Sequence, residues 1–163
     1  MRNSNYIFPF LLFIPLLIIQ LTLVPLISIR GFVPDLILIL LVFYTLQSGQ
    51  IYGTVLGFIF GFLYDLVTGS LIGSMMFAKT AAGFTAGYFA NENKIETYFK
   101  SYSFTLIVLL CAVIDSLLYS IFSSKEFTFN ILLLFFEQGL LPGIYTAIIS
   151  FIVVFFYPKR SFS

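Results

Sequence analysis

The sequence predicts an all-α membrane protein: a polytopic bundle of about six transmembrane helices, forming a single integral membrane domain over residues 1–163. Of the 163 residues, 60% are hydrophobic and only 9% are charged, whereas soluble domains have about 25% charged residues. Apolar runs recur along the whole chain. Lipid admits only helices and closed barrels, and runs such as LILILLVFY lack the alternating polarity of barrel strands. The composition therefore favours helices.

Short polar or turn-forming segments separate the candidate spans. These spans are roughly 7–28, 34–47, 51–67, 72–90, 102–122 and 131–157. Crossing the hydrocarbon core takes about 20 apolar residues, so the second and third spans are short. We predict that these two either run steeply or form a hairpin that only partly crosses the membrane.

The charges of the loops predict the orientation, because Lys and Arg concentrate on the cytoplasmic side. Six spans place most of the basic loop residues on the side that holds both termini: Arg2, Lys94, Lys100, Lys159 and Arg160. Arg30 and Lys125 fall on the opposite side. We therefore predict a multi-pass protein of a bacterial cytoplasmic (inner) membrane, with both termini in the cytoplasm.

A group of charged residues lies inside the predicted spans or at their outer ends. The group comprises Asp35, Asp65, Lys79, Asp115 and Glu137. The predicted orientation puts all of them in the outer half of the membrane, with Lys79 about 12 Å deep. Ionisable residues there are costly and mark functional sites by default. We predict one outward-facing polar pocket, in which Lys79 is the only cation and a partner segment docks.

Simpler structural explanations exist for the same residues. Lys79 paired with one carboxylate could merely hold the bundle together, since a membrane-buried charge needs a partner whatever the function. Asp35 follows Pro34 and could be only a helix N-cap. Asp115 and Glu137 could be partly hydrated in an outward-facing cavity.

Glycines at helical spacing predict close helix packing. They are Gly53, Gly57 and Gly61 in the third span, and Gly83 and Gly87 in the fourth. A G-x-x-x-G pattern in an apolar segment lets two membrane helices approach closely. These stripes either pack helices within one subunit or form an interface with another protein.

Several function classes are disfavoured by composition. The chain has no histidine, which removes His-based catalytic triads, His–metal sites and haem ligation by His. The single Cys111 lies in an apolar run, where it is a small hydrophobe. No basic stripe suggests nucleic acid. We expect no cofactor, no metal and no catalytic residue, and we expect the lipid bilayer as a partner.

The segment 34–73 resembles the central signature of the MreD family of rod-shape-determining membrane proteins. That signature looks like PDL, a GF-x-x-GL-x-x-D element, then a glycine-containing turn and LG. It corresponds here to Pro34-Asp35-Leu36, Gly57-Phe58, Gly61-Phe62-Leu63-Tyr64-Asp65, Gly69 and Ile72-Gly73. Phe62 stands where the pattern usually has Leu. Leu141-Pro142 and the following helix resemble the C-terminal span of the family.

The resemblance implies a non-enzymatic subunit of the bacterial cell-elongation complex, or elongasome. It implies binding to the bitopic protein MreC, and through MreC to MreB and to the peptidoglycan polymerase and transpeptidase pair. It also implies a fold similar to the S components of energy-coupling-factor transporters.

Two other function classes stay open at this point. One is an S-component-like membrane carrier that binds a vitamin or a metal, supported by the same polar cluster. Against it, the first span lacks the alanine-rich spacing with which S components contact their transporter partner. The other is an intramembrane aspartyl enzyme, since Asp65 and Asp115 could form a carboxylate pair. Their sequence contexts do not resemble the G-x-G-D element of such proteases.

Overall fold

The computed structural model describes residues 7–28, 31–69, 71–91, 98, 102–123 and 134–156. Within these residues the chain forms α-helices at all the predicted spans: α1 Phe8–Thr22, α2 Leu36–Ser48, α3 Gln50–Thr68, α4 Ser74–Gly87, α5 Ser103–Ser123 and α6 Leu141–Phe156. A 3₁₀ turn, Val24–Ile27, follows α1, and a π-helix, Leu134–Leu140, precedes α6. The predicted all-α class is confirmed. The basic loop residues used for the orientation lie outside the described residues.

Helix lengths differ from the predicted spans. Two helices are long and apolar enough to cross a membrane, Gln50–Thr68 and Ser103–Phe122. The apolar helices α1 and α2 and the apolar part of the last segment, Phe136–Ile152, are shorter. The helix at the third span, α3, has 19 residues and is longer than the predicted span 51–67. The helix at the second span, α2, has only 13 residues.

The short helix α2 lies at the centre of the bundle and contacts each of the other five α-helices. Its sequence is apolar on every face, as expected of a helix that is buried all round. Its buried residues include Ile37, Leu38, Leu41, Val42 and Leu46. Protein surrounds α2 on every side, so its 13 residues do not have to match the thickness of a lipid layer.

The glycine stripes pack α3 against α4 and α2. A Cβ atom on Gly61 would lie 2.5 Å from the Met75 carbonyl oxygen. One on Gly57 would strike the Lys79 carbonyl, and one on Gly83 the Gly53 carbonyl. At the two remaining glycines, a Cβ atom would meet a side chain: that of Thr45 at Gly53, and that of Gln50 at Gly87. The stripes are therefore filled by helices of the same subunit, which is the first of the two alternatives.

The last predicted span is divided into two kinds of helix. The π-helix changes to α-helix at Leu141, and Pro142 in the first turn of α6 has no N–H to donate. Small residues again allow close approach to α5. A Cβ on Gly139 would lie 2.6 Å from Leu117 Cδ2, and one on Gly143 would lie 2.8 Å from Val113 Cγ2.

Large apolar side chains cover much of the outer surface. On α1, Leu11 and Ile14 are each 63% exposed and Ile18 is 55% exposed. Soluble monomers rarely carry an apolar surface of this extent. Contact with lipid explains it for a chain of this composition.

Candidate functional site

Three charged side chains from three helices meet inside the bundle. The Lys79 ammonium of α4 donates to Asp35 Oδ2 and, at 3.3 Å, to Asp115 Oδ2. The Lys79 side chain is fully buried, whereas 6% of Asp115 and 21% of Asp35 are exposed. We call these three residues the lysine cluster. It joins the start of α2 to α4 and α5, and the Asp35 side is the more accessible one.

Asp35 serves both of the roles that the sequence suggested. It is the N-cap of α2, where Oδ1 accepts the Leu38 N–H at 2.9 Å. Its other carboxylate oxygen accepts from Lys79. The Asp35 N–H donates to Thr146 Oγ1 of α6 at 3.1 Å. The cap and the ion pair are therefore parts of one arrangement.

A buried glutamine holds the same segment from α1. Gln20 Nε2 donates to the Pro34 carbonyl at 2.9 Å, and Gln20 Oε1 accepts the Leu36 N–H at 3.0 Å. Neither Gln20 nor Thr146 was predicted from the sequence to contribute to the site. Gln20 could have been noticed as a single amide within an apolar run. A buried polar group needs hydrogen-bond partners, so its position predicts a polar contact.

One carboxylate oxygen of the cluster has no donor. Asp115 Oδ1 is buried and has no hydrogen-bond partner among the described residues. With one lysine and two aspartates, the cluster has a formal charge of −1. Buried polar groups usually have a partner, so this oxygen departs from the usual pattern within the described part of the chain.

A cavity of about 490 Å³ adjoins the cluster. Its polar lining includes Gln20, Asp35, Tyr64, Asp115, Tyr119 and Gln138. Pockets that bind small molecules are typically about 300–1,000 Å³ and have a few polar groups in a mostly apolar wall. The cavity is therefore large enough for a side chain or a small ligand.

Asp65 lies elsewhere, contrary to the prediction of one shared pocket. Its side chain is fully buried and accepts backbone N–H groups of Gly73 at 2.9 Å, Met75 at 3.2 Å and Met76 at 3.1 Å. A carboxylate at a helix N-terminus satisfies otherwise unpaired donors and complements the helix dipole. Asp65, near the end of α3, thus caps the N-terminus of α4, while Lys79 pairs with Asp35 and Asp115.

Glu137 is also outside the lysine cluster, and its side chain is exposed. The prediction that it points into the pocket assumed α-helical spacing. The segment Leu134–Leu140 is a π-helix with a wider turn, so the faces are shifted. The neighbouring Gln138 lines the cavity instead.

A family model described as rod shape-determining protein MreD matches residues 1–160 of the chain. The chain belongs to the MreD family. The resemblance seen in the sequence is confirmed, and with it a role as a rod-shape-determining membrane protein. MreD proteins determine cell shape and are not a known enzyme family. No curated protein and no solved structure significantly matches the chain.

The MreD motifs now have structural explanations. The PDL element is held by Gln20, Lys79 and Thr146 from three other helices. The aspartate of the glycine-rich element caps α4. Asp65 and Asp115 bind different partners, so the structure does not bring them into the carboxylate pair that an aspartyl enzyme requires. The similarity to S components stays a prediction.

Proposed function

We propose that this MreD-family protein is a non-enzymatic subunit of the bacterial cell-elongation complex that binds MreC. Through MreC it would connect to MreB and to the peptidoglycan polymerase and transpeptidase pair, support lateral peptidoglycan synthesis and regulate cell shape. The observation that carries the proposal is the cavity beside the lysine cluster, which offers a buried polar site for a partner segment.

The proposed orientation puts this site on the periplasmic side. The lysine cluster lies toward the end of the bundle where α1, α3 and α5 end and α2, α4 and α6 begin. If both termini are cytoplasmic, as the positive-inside rule predicts, that end faces the periplasm of the inner membrane. Reporter fusions at both termini and at Ser124 would test the orientation. A periplasmic terminus would reverse it.

Blocking the cavity tests the docking site. Ser116 lines the cavity on α5, whereas Leu106 on the same helix is 63% exposed. We expect Ser116→Phe to lose MreC in affinity purification from mild detergent, and Leu106→Phe to keep it. Both variants should unfold at similar temperatures. Full retention of MreC by a folded Ser116→Phe variant would exclude docking in this cavity, and no retention by the wild type would exclude the function.

The cavity volume also favours a second candidate, an S-component-like subunit that binds a vitamin. Thermal-shift measurements on the purified protein across a vitamin panel separate the two. Stabilisation by one vitamin that is lost in Ser116→Phe, together with no retention of MreC, would establish the carrier and overturn the scaffold.

A further inference from the structure

We propose that the cavity beside the lysine cluster takes one cationic side chain, a lysine or an arginine of the docking protein, and that Asp115 Oδ1 accepts from it. This inference rests on the proposed function and adds the chemistry of the contact. It is carried by three observations: a buried oxygen without a donor among the described residues, an excess of negative charge in the cluster, and a cavity lined by both acidic and apolar residues.

Among the described residues, the hydrogen bonds of the cluster leave one acceptor, Asp115 Oδ1, without a donor. Asp35 uses both carboxylate oxygens, one for the Leu38 N–H and one for Lys79. Asp115 uses only Oδ2, for Lys79 at 3.3 Å, and its Oδ1 is buried without a partner in the described part of the chain. A buried charged acceptor that stays unpaired is costly. One further donor would complete the cluster.

The charge of the site selects the kind of donor. Both charged residues that line the cavity, Asp35 and Asp115, are acidic, and no lysine or arginine of the described residues lines it. Lys79 neutralises one of the two carboxylates. An added cation would bring the group to zero net charge, which is the least costly state inside a membrane, whereas an anion would be repelled.

The shape of the lining favours a long basic side chain over a free ion. Val33, Leu38 and Met75 provide apolar wall next to the acids. Lysine and arginine bury an aliphatic stem while their charged end reaches polar groups. Tyr64 and Tyr119 also line the cavity, and tyrosine rings are suitable neighbours for a cation.

Asp115→Asn is the direct test, because it removes the charge and keeps the size. We expect the dissociation constant of detergent-purified MreC to rise by about tenfold to a hundredfold, as for loss of a hydrogen bond to a charged group. Asp35 still pairs with Lys79 in this variant, so the protein should stay folded, as checked by thermal unfolding. The matched control is Glu137→Gln, which removes one exposed carboxylate and should leave the constant within about twofold.

A double-mutant cycle identifies the partner residue. Each lysine and arginine on the periplasmic side of the MreC span is replaced by methionine, alone and with Asp115→Asn. We expect one replacement to weaken binding as much as Asp115→Asn does, with no further loss in the double variant.

Distinct outcomes overturn this inference or the proposed function. Asp115→Asn binding within twofold of wild type, or losses that add fully for every basic residue of MreC, would refute the inference and leave MreC binding intact. Stabilisation of wild type, but not of Asp115→Asn, by methylguanidinium, with MreC binding unchanged, would assign the site to a free cation. No MreC binding by wild type would refute both proposals.

Discussion

Replacing Lys79 by methionine removes the only cation of the lysine cluster and keeps an apolar side chain in its place. Asp115 is 6% exposed and would lose its one hydrogen-bond donor, since its Oδ1 already has none among the described residues. Asp35 keeps the Leu38 N–H but faces a second carboxylate. Breaking a buried ion pair in this way costs about 3–5 kcal/mol. We expect the free energy of unfolding of Lys79→Met to fall by that amount.

Unfolding of the purified protein in mild detergent, titrated with a denaturing detergent and followed by circular dichroism, measures the change. The control is Lys125→Met, in a predicted loop outside the described residues, for which we expect less than about 0.5 kcal/mol. Combining Lys79→Met with Asp115→Asn should recover part of the loss, because the unpaired charge is then gone. Equal stability of Lys79→Met and the control would show that the ion pair contributes nothing.

Three further substitutions test the contacts around the site in the same unfolding assay. Gly57→Leu forces a side chain against the Lys79 carbonyl and should cost about 3 kcal/mol, the upper end of the usual range for overpacking. A smaller loss than in Val55→Leu, at an exposed position, would refute the packing. Asp65→Ala leaves the first N–H groups of α4 without their acceptor and should cost about 2–3 kcal/mol; unchanged stability would exclude the cap. Gln20→Leu leaves the Leu36 N–H without its acceptor. This should lower the free energy of unfolding by about 1–3 kcal/mol and weaken MreC retention. Unchanged stability and retention would exclude a role for Gln20 in positioning the Asp35 segment.

The helices were predictable because helix formation depends on patterns of neighbouring residues in the chain. Apolar runs between glycine, proline and polar breaks placed α2 to α5 to within about three residues. The first α-helix ends at Thr22, six residues before the predicted end of its span, and a 3₁₀ turn continues to Ile27. The last span also differs. There the π-helix escaped prediction, since the apolar pattern of 131–157 carries no mark of a wider turn. The burial of α2 was visible only as an apolar surface on all faces, which a lipid-facing helix also has.

The polar site was predicted in part. Asp35, Lys79 and Asp115 were expected together and meet around one ammonium. Asp65 and Glu137 were expected with them and are not in the cluster. A shared depth in the membrane suggested the grouping, but depth does not say which way a side chain faces. Gln20 and Thr146 come from the first and last helices, and no local pattern connects them to Asp35.

By itself, the sequence determined that this protein is helical and strongly apolar, and it carried the resemblance to the MreD family that the family model confirms. These properties follow from composition, and from residues close together in the chain. The tertiary structure alone decided which carboxylates pair with Lys79, that Asp65 caps a helix, and that one Asp115 oxygen has no donor among the described residues. These depend on contacts between helices distant in sequence, where a rotation of one helix exchanges one partner for another.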